Sequence, residues 1–137
     1  MTRLCEVVMW ALVLLRAIYG IHADFIAPLC NADENSGLTT DCAQVIAYLQ
    51  DLGSMDCCRQ QYHSVNHCTT LHTSRTCRAQ ICGFLLHGIT DRCQPCEIVA
   101  EYVRTLTNEC AVSIDGVSRS GGAVVMKEDQ GLIIVLL

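Results

Sequence analysis

Eleven cysteines stand in this 137-residue chain, and they limit what it can fold into more than any other feature. Cys5 lies in an apolar N-terminal stretch. The other ten are Cys30, Cys42, Cys57, Cys58, Cys68, Cys77, Cys82, Cys93, Cys96 and Cys110. An even set of this density in a short chain marks a disulfide scaffold, provided the chain folds in an oxidising compartment. Five bridges are expected. Ten cysteines allow roughly 945 pairings by simple counting, so connectivity stays open at this level.

The compartment is read from the first residues. Arg3 precedes an apolar run at 7–15, and small residues follow at Gly20 and Ala23. A run of this length suits a signal-peptide core of about 7–15 residues and falls short of the roughly 20 that a membrane-spanning helix needs. Residues 1–23 therefore read as a cleavable secretory signal cut after Ala23, with Gly20 as the second choice. Residues 24–137 then form a single secreted cysteine-rich domain. Glu6 and Arg16 depart from the usual charge pattern of a signal, and the rival reading is an N-terminal amphipathic helix of the domain itself. Removal of 1–23 takes Cys5 away and leaves the even set, so export and cysteine parity support each other.

Cleavage would also remove Arg3, Arg16 and Glu6 and shift the net charge from −5 to −6. That balance disfavours phosphate-backbone binding, which needs clustered Lys and Arg, and so argues against a nucleic-acid partner. It equally disfavours anionic membrane surfaces. With aromatics at 5%, stacking surfaces for sugars or bases are poorly supplied.

Periodicity supplies the elements. Cys42, Val45, Ile46, Leu49 and Leu52 repeat at helical spacing, with Thr39-Thr40-Asp41 before them and Gly53 after. This predicts a helix over 41–52 in which Asp41 and Gln44 have capping-box spacing. Its buried face includes Cys42, which should cross to a strand beneath. Pro95 followed by Val99, Tyr102, Val103, Leu106 and Cys110 predicts a second helix over 95–109, with Pro95 in its first turn. Strands are expected near 55–60, over 76–86 with a bend at Gly83, and at 111–114, 122–126 and 132–137. The last two should pair as a hairpin, and Asp115-Gly116 and Asp129-Gln130-Gly131 are turn chemistry. Residues 24–38 read as an extended arm tied by Cys30, and 61–75 as a polar loop anchored by Cys68. The expected fold is α+β: a two-layer sandwich with two helices on one face of an antiparallel sheet of about five strands, rich in disulfides.

Several motifs carry possible chemistry. Cys93-Gln94-Pro95-Cys96 opens a helix, an arrangement that lowers a thiol pKa and resembles thioredoxin-like redox sites. The favoured reading is instead two separate staples pinning the helix start. His63 and His67 stand four apart beside Cys68 and could face a zinc ion on a helix. The stretch lacks helical periodicity and Cys68 is needed for parity, so a solvated loop is favoured and no metal ligand is nominated. Ser64, Ser74, Ser118 and Ser120 lack a Gly-x-Ser-x-Gly context, so no catalytic residue and no cofactor are nominated. The apolar tail 131–137, behind Gly121-Gly122, is too short for a lipid-anchor signal and reads as a terminal strand, which leaves no stable membrane anchor.

The layout resembles the small secreted cysteine-rich proteins of fungi, including the virus-encoded killer toxins of smut fungi and related plant-pathogen effectors. The features are Thr40-Asp41-Cys42 opening the first helix, ten cysteines with a dense middle, a second helix ending at Cys110, and Gly121-Gly122 before a β-rich end. The resemblance implies an α/β sandwich that acts by binding an extracellular protein or cell-surface target, without catalysis. A secreted protease inhibitor is the alternative, with 60–76 as a rigid exposed loop and Arg75 as the contact for a trypsin-like pocket. A thiol–disulfide oxidoreductase using Cys93 and Cys96 is the third.

Overall fold

The computed structural model describes residues 27–59, 68–83, 92–129 and 131–137. The expected signal at 1–23, His63, His67, Ser64 and the end of the strand expected over 76–86 lie outside the described residues. In chain order the elements are β1 (Leu29–Cys30), β2 (Gly37–Leu38), α1 (Thr39–Leu52), β3 (Asp56–Arg59), β4 (Cys68–Ser74), β5 (Cys77–Gly83), β6 (Arg92–Pro95), α2 (Cys96–Glu109), β7 (Ala111–Ile114), β8 (Val117–Ser120), β9 (Gly122–Val125) and β10 (Leu132–Leu136).

Apolar alternation places β10 at the centre. Leu132, Ile134 and Leu136 point into the core and are at most 1% exposed, while Ile133 and Val135 face the other way. The strand pairs antiparallel with β9 on one side and β5 on the other. The main sheet runs β1-β9-β10-β5-β4. Both helices lie on its inner face, in contact with each other: α1 rests on β4 and β5, α2 on β9 and β10. Val45 and Leu49 of α1 meet Val99, Val103 and Leu106 of α2 in one core with Ile81, Ile134 and Met126. Each such side chain contributes about 1.5–3 kcal/mol by leaving water. The α+β, disulfide-rich two-layer expectation is what the chain forms.

The membership of the sheet differs from expectation. Of the five anticipated strands, only those at 76–86, 122–126 and 132–137 join it, as β5, β9 and β10. The strand near 55–60 becomes β3 and pairs with β6 in a separate ribbon. The strand at 111–114 becomes β7, an edge of a three-stranded sheet ordered β2-β8-β7. Single-residue alternation tells which segments are extended but carries no information about their neighbours. The two remaining strands of the main sheet come from segments read as irregular. The arm supplies β1, and the polar stretch 61–75 supplies β4, a correction to the loop expected there. Thr69, Thr70 and Thr73 favour extended backbone, and β4 is an edge strand with a bulge between Thr70 and His72, so it shows no clean apolar period. His72 stacks on Tyr48 of α1 with ring centroids 3.7 Å apart.

The helices lie within two residues of expectation. At α1 the N-cap is Leu38, with no side-chain cap, and Asp41 sits inside the first turn. The capping box expected from Asp41 and Gln44 therefore does not form. The Asp41 carboxylate instead accepts hydrogen bonds from the hydroxyl (2.6 Å) and backbone N–H (3.2 Å) of Thr76, in the turn between β4 and β5. Pro95 is the last residue of β6 and the N-cap of α2, one position ahead of the first turn.

Candidate binding surface

The five bridges define the frame. Cys30 joins Cys110, Cys42 joins Cys77, Cys57 joins Cys96, Cys58 joins Cys93, and Cys68 joins Cys82. Every cysteine after Cys5 is thus bonded. Cys42 crosses from α1 to β5, as its place on the buried face of the helix demands. Cys93 and Cys96 bond to neighbouring residues of β3, Cys58 and Cys57, and not to each other. They form two parallel staples at the start of α2. Cys68, bonded to Cys82, carries no thiolate for a metal beside His67. Among the described residues no group of three or more His, Cys, Asp or Glu side chains is placed to hold a metal ion. No described helix is long and apolar enough to cross a membrane.

The molecule has two distinct ends. At the first, α1 ends, α2 begins and the β3–β6 ribbon is attached: the Cys96 and Glu97 N–H groups donate to the carbonyls of Met55 and Gly53. Arg59 is buried against Gly83, where an added Cβ would lie 2.5 Å from the Arg59 Cδ and would force that side chain to shift. Arg92 pairs with Asp129 at 3.1 Å. Tyr102 of α2 donates to Glu128 at 2.6 Å and accepts from the Lys127 N–H at 2.9 Å, which pins the β9–β10 connection to the helix. Partial burial, helped by the Glu128 acceptor, raises the Tyr102 phenol above its ordinary pKa.

At the second end lie the β4–β5 turn, the start of α1 and the finish of α2. Arg75 occupies the first position of this two-residue turn with φ 49°. It does not stand in a long loop between staples, because β4 accounts for 68–74. Its backbone is folded back where a trypsin-like cleft reads an extended strand. The Thr76 hydroxyl, then its N–H, with the charge of Arg75, hold the Asp41 carboxyl below the ordinary carboxylate value despite partial desolvation. Thr76 Oγ1 also accepts from the Leu38 N–H at 2.9 Å, which completes the tie to α1. Ser120, fully buried, donates to the Leu106 carbonyl at 2.7 Å. Arg119 donates to the Ser36 carbonyl at 2.7 Å.

Beside this end an open groove of about 590 Å³ runs between α1 and α2 and under the β7–β8 hairpin. Ile46 forms part of its floor, and Thr39, Gln50, Arg104, Asn108 and Ser118 supply polar groups around it. Arg104 is ion-paired with Glu101 one turn back on α2. Of the serines considered in the sequence, Ser74 lies on β4, while Ser118 and Ser120 lie on β8, a strand that the sequence reading missed because its four residues carry no apolar alternation. The Asp115-Gly116 turn was the available signal for it: a turn that tight requires a returning strand.

No protein-family model matches the chain, and no curated protein matches it either.

Proposed function

We propose that the protein is secreted and acts outside the producing cell as a disulfide-stabilised binding protein without catalytic activity, of the kind represented by fungal effectors and killer toxins. One observation carries the reading. All ten cysteines after Cys5 are committed to bridges, Cys93 and Cys96 each to a residue of β3 and not to each other, so the motif with the best claim to redox chemistry serves as scaffold. Bridges of this number suit an oxidising environment and a small domain that must persist there. The groove between the helices, with Ile46 in its floor and Thr39, Gln50, Arg104, Asn108 and Ser118 around it, offers a concave surface for a protein partner.

The test begins with the protein secreted from a eukaryotic host. Its first residue should be Asp24, and its mass should lie ten hydrogens below that of the reduced chain. Fluorescently labelled protein should then bind the surface of susceptible fungal or plant cells saturably, and Gln50→Lys with Asn108→Lys should weaken that binding at least tenfold. Turnover of a hydrolase or thiol–disulfide substrate that a point substitution abolishes would overturn the proposal.

A further inference from the structure

We infer that β7 is a dimerisation edge: the side of it that no described strand occupies pairs antiparallel with β7 of a second copy about a two-fold axis at Val112. The first support is a comparison of sheet edges. An exposed edge strand is a template for another strand, and proteins blunt such edges by shortness, charge, proline or a bulge. Here β1 and β2 are two residues long, and β4 carries a bulge. The β3–β6 ribbon carries Asp56, Arg59, Arg92 and Pro95. The edge strand β7 reads Ala-Val-Ser-Ile: it carries no charge, proline or bulge, and at four residues it is twice the length of β1 and β2. Ala111, Val112 and Ser113 are exposed, Val112 at 42%.

The hydrogen-bond phase of the hairpin settles which groups are offered. Asp115 and Gly116 both have positive φ, 52° and 76°, the two-residue turn that matches strand twist. Such a turn makes Ile114 and Val117 a hydrogen-bonded pair, and Val112 with Arg119 the next. The N–H and C=O groups of Ala111 and Ser113 therefore point away from β8 into the open side. Set antiparallel to itself, β7 brings Ala111 opposite Ser113 of the second copy at both ends of a short ladder. Four backbone hydrogen bonds form, and the two Val112 side chains meet at the axis.

Charge makes this hairpin the place where two copies meet with least repulsion. The chain is net negative, so two copies repel over most of their surfaces. The hairpin 111–120 is neutral, with Asp115 and Arg119 its only charged residues, and Arg119 is tied to Ser36. In the two-fold arrangement both Asp115 residues lie outside the ladder, at opposite ends of it. The interface is small, so the dimer is weak and concentration-dependent.

Sedimentation equilibrium of the purified, disulfide-bonded protein between roughly 10 µM and 1 mM, where small interfaces assemble, reads this directly. The expected result is a monomer–dimer equilibrium. Ser113→Pro removes an outward N–H that the fold does not use, and Val112→Lys sets two ammonium groups against each other. Each should raise the dissociation constant at least tenfold with an unchanged far-UV spectrum. Val117→Lys alters the same apolar face from β8, which lies between β7 and β2, and should leave the dimer within about threefold of the parent. The inference is overturned if the parent stays monomeric throughout, if neither β7 variant shifts the equilibrium, or if Val117→Lys disrupts the dimer more than Ser113→Pro does.

Discussion

The two ends of the molecule are secured by different means. Three bridges, Cys57–Cys96, Cys58–Cys93 and Cys68–Cys82, gather where the β3–β6 ribbon, the start of α2 and the end of β5 lie. The opposite end has two, Cys30–Cys110 and Cys42–Cys77, and there the chain reverses in a two-residue turn held by Asp41, Thr76 and Leu38. A tight turn brings its strands together at small entropic cost, so hydrogen bonds and packing suffice. The β3–β6 ribbon at the other end has only two short strands, marginal by themselves, and is held by one bridge across it and one to α2.

The largest test removes bridges at either end. Cys42→Ala with Cys77→Ala deletes a fully buried link across 35 residues that no parallel bridge duplicates. It should lower unfolding free energy by about 4 kcal/mol in urea. Cys58→Ala with Cys93→Ala spans the same 35 residues, but Cys57–Cys96 still closes the ribbon. Only a few residues then remain to be constrained, and the loss should be about 2 kcal/mol. Equal losses would show that the paired staples act independently and would break the comparison.

Smaller effects come from the polar ties. Ser120→Ala removes a buried donor and leaves the Leu106 carbonyl without it, which should cost about 1 kcal/mol in the same assay. Tyr102→Phe loosens the connection at the other end and should cost less than about 1 kcal/mol, because the hydroxyl is partly solvated. Tyr102 also predicts alkaline behaviour. Its folded pKa is raised, so its contribution is complete below the unfolded value near 10 and disappears as pH rises through the folded value. Tyr102→Phe should therefore flatten the stability profile above about pH 10.

Asp41 gives the mirror result at the turn end. Its folded pKa is lowered, so its contribution is present above the ordinary carboxylate value of about 3.9 and is lost as pH falls through the folded value. Thr76→Val should remove part of that acid sensitivity, measured as a shallower fall in melting temperature between pH 4 and pH 2 on a scale of roughly two carboxylate titration widths. An unchanged slope would mean that Asp41 does not hold the turn to α1.

What could be read in advance depended on how local the signal was. Both helices were legible because Val45, Leu49, Val99 and Val103 repeat every three or four residues and so declare a single buried face. The β9–β10 hairpin was legible because two apolar runs flank turn residues. The strand β4 was hidden because an edge strand of threonine and histidine needs no apolar period, and β8 because serine and arginine can line a strand whose inner face rests on a helix end. Asp41 looked like a cap because capping boxes are judged by spacing. The structure uses it across 35 positions, on Thr76, a contact that no local pattern encodes. Arg75, proposed from its place at the end of a polar stretch, lies in a turn once Cys68–Ser74 is seen as a strand.

The cysteine count by itself determined that this is a stapled domain: ten thiols in a short chain demand partners wherever it folds under oxidising conditions. The helical stripes determined that two helices share one core. Which cysteine meets which, which strands share a sheet and which edge is left open were decided only in the tertiary structure. Each depends on residues brought together from positions 14 to 80 apart along the bridges, and pairing over such distances is set by how the helices and sheet pack as a whole.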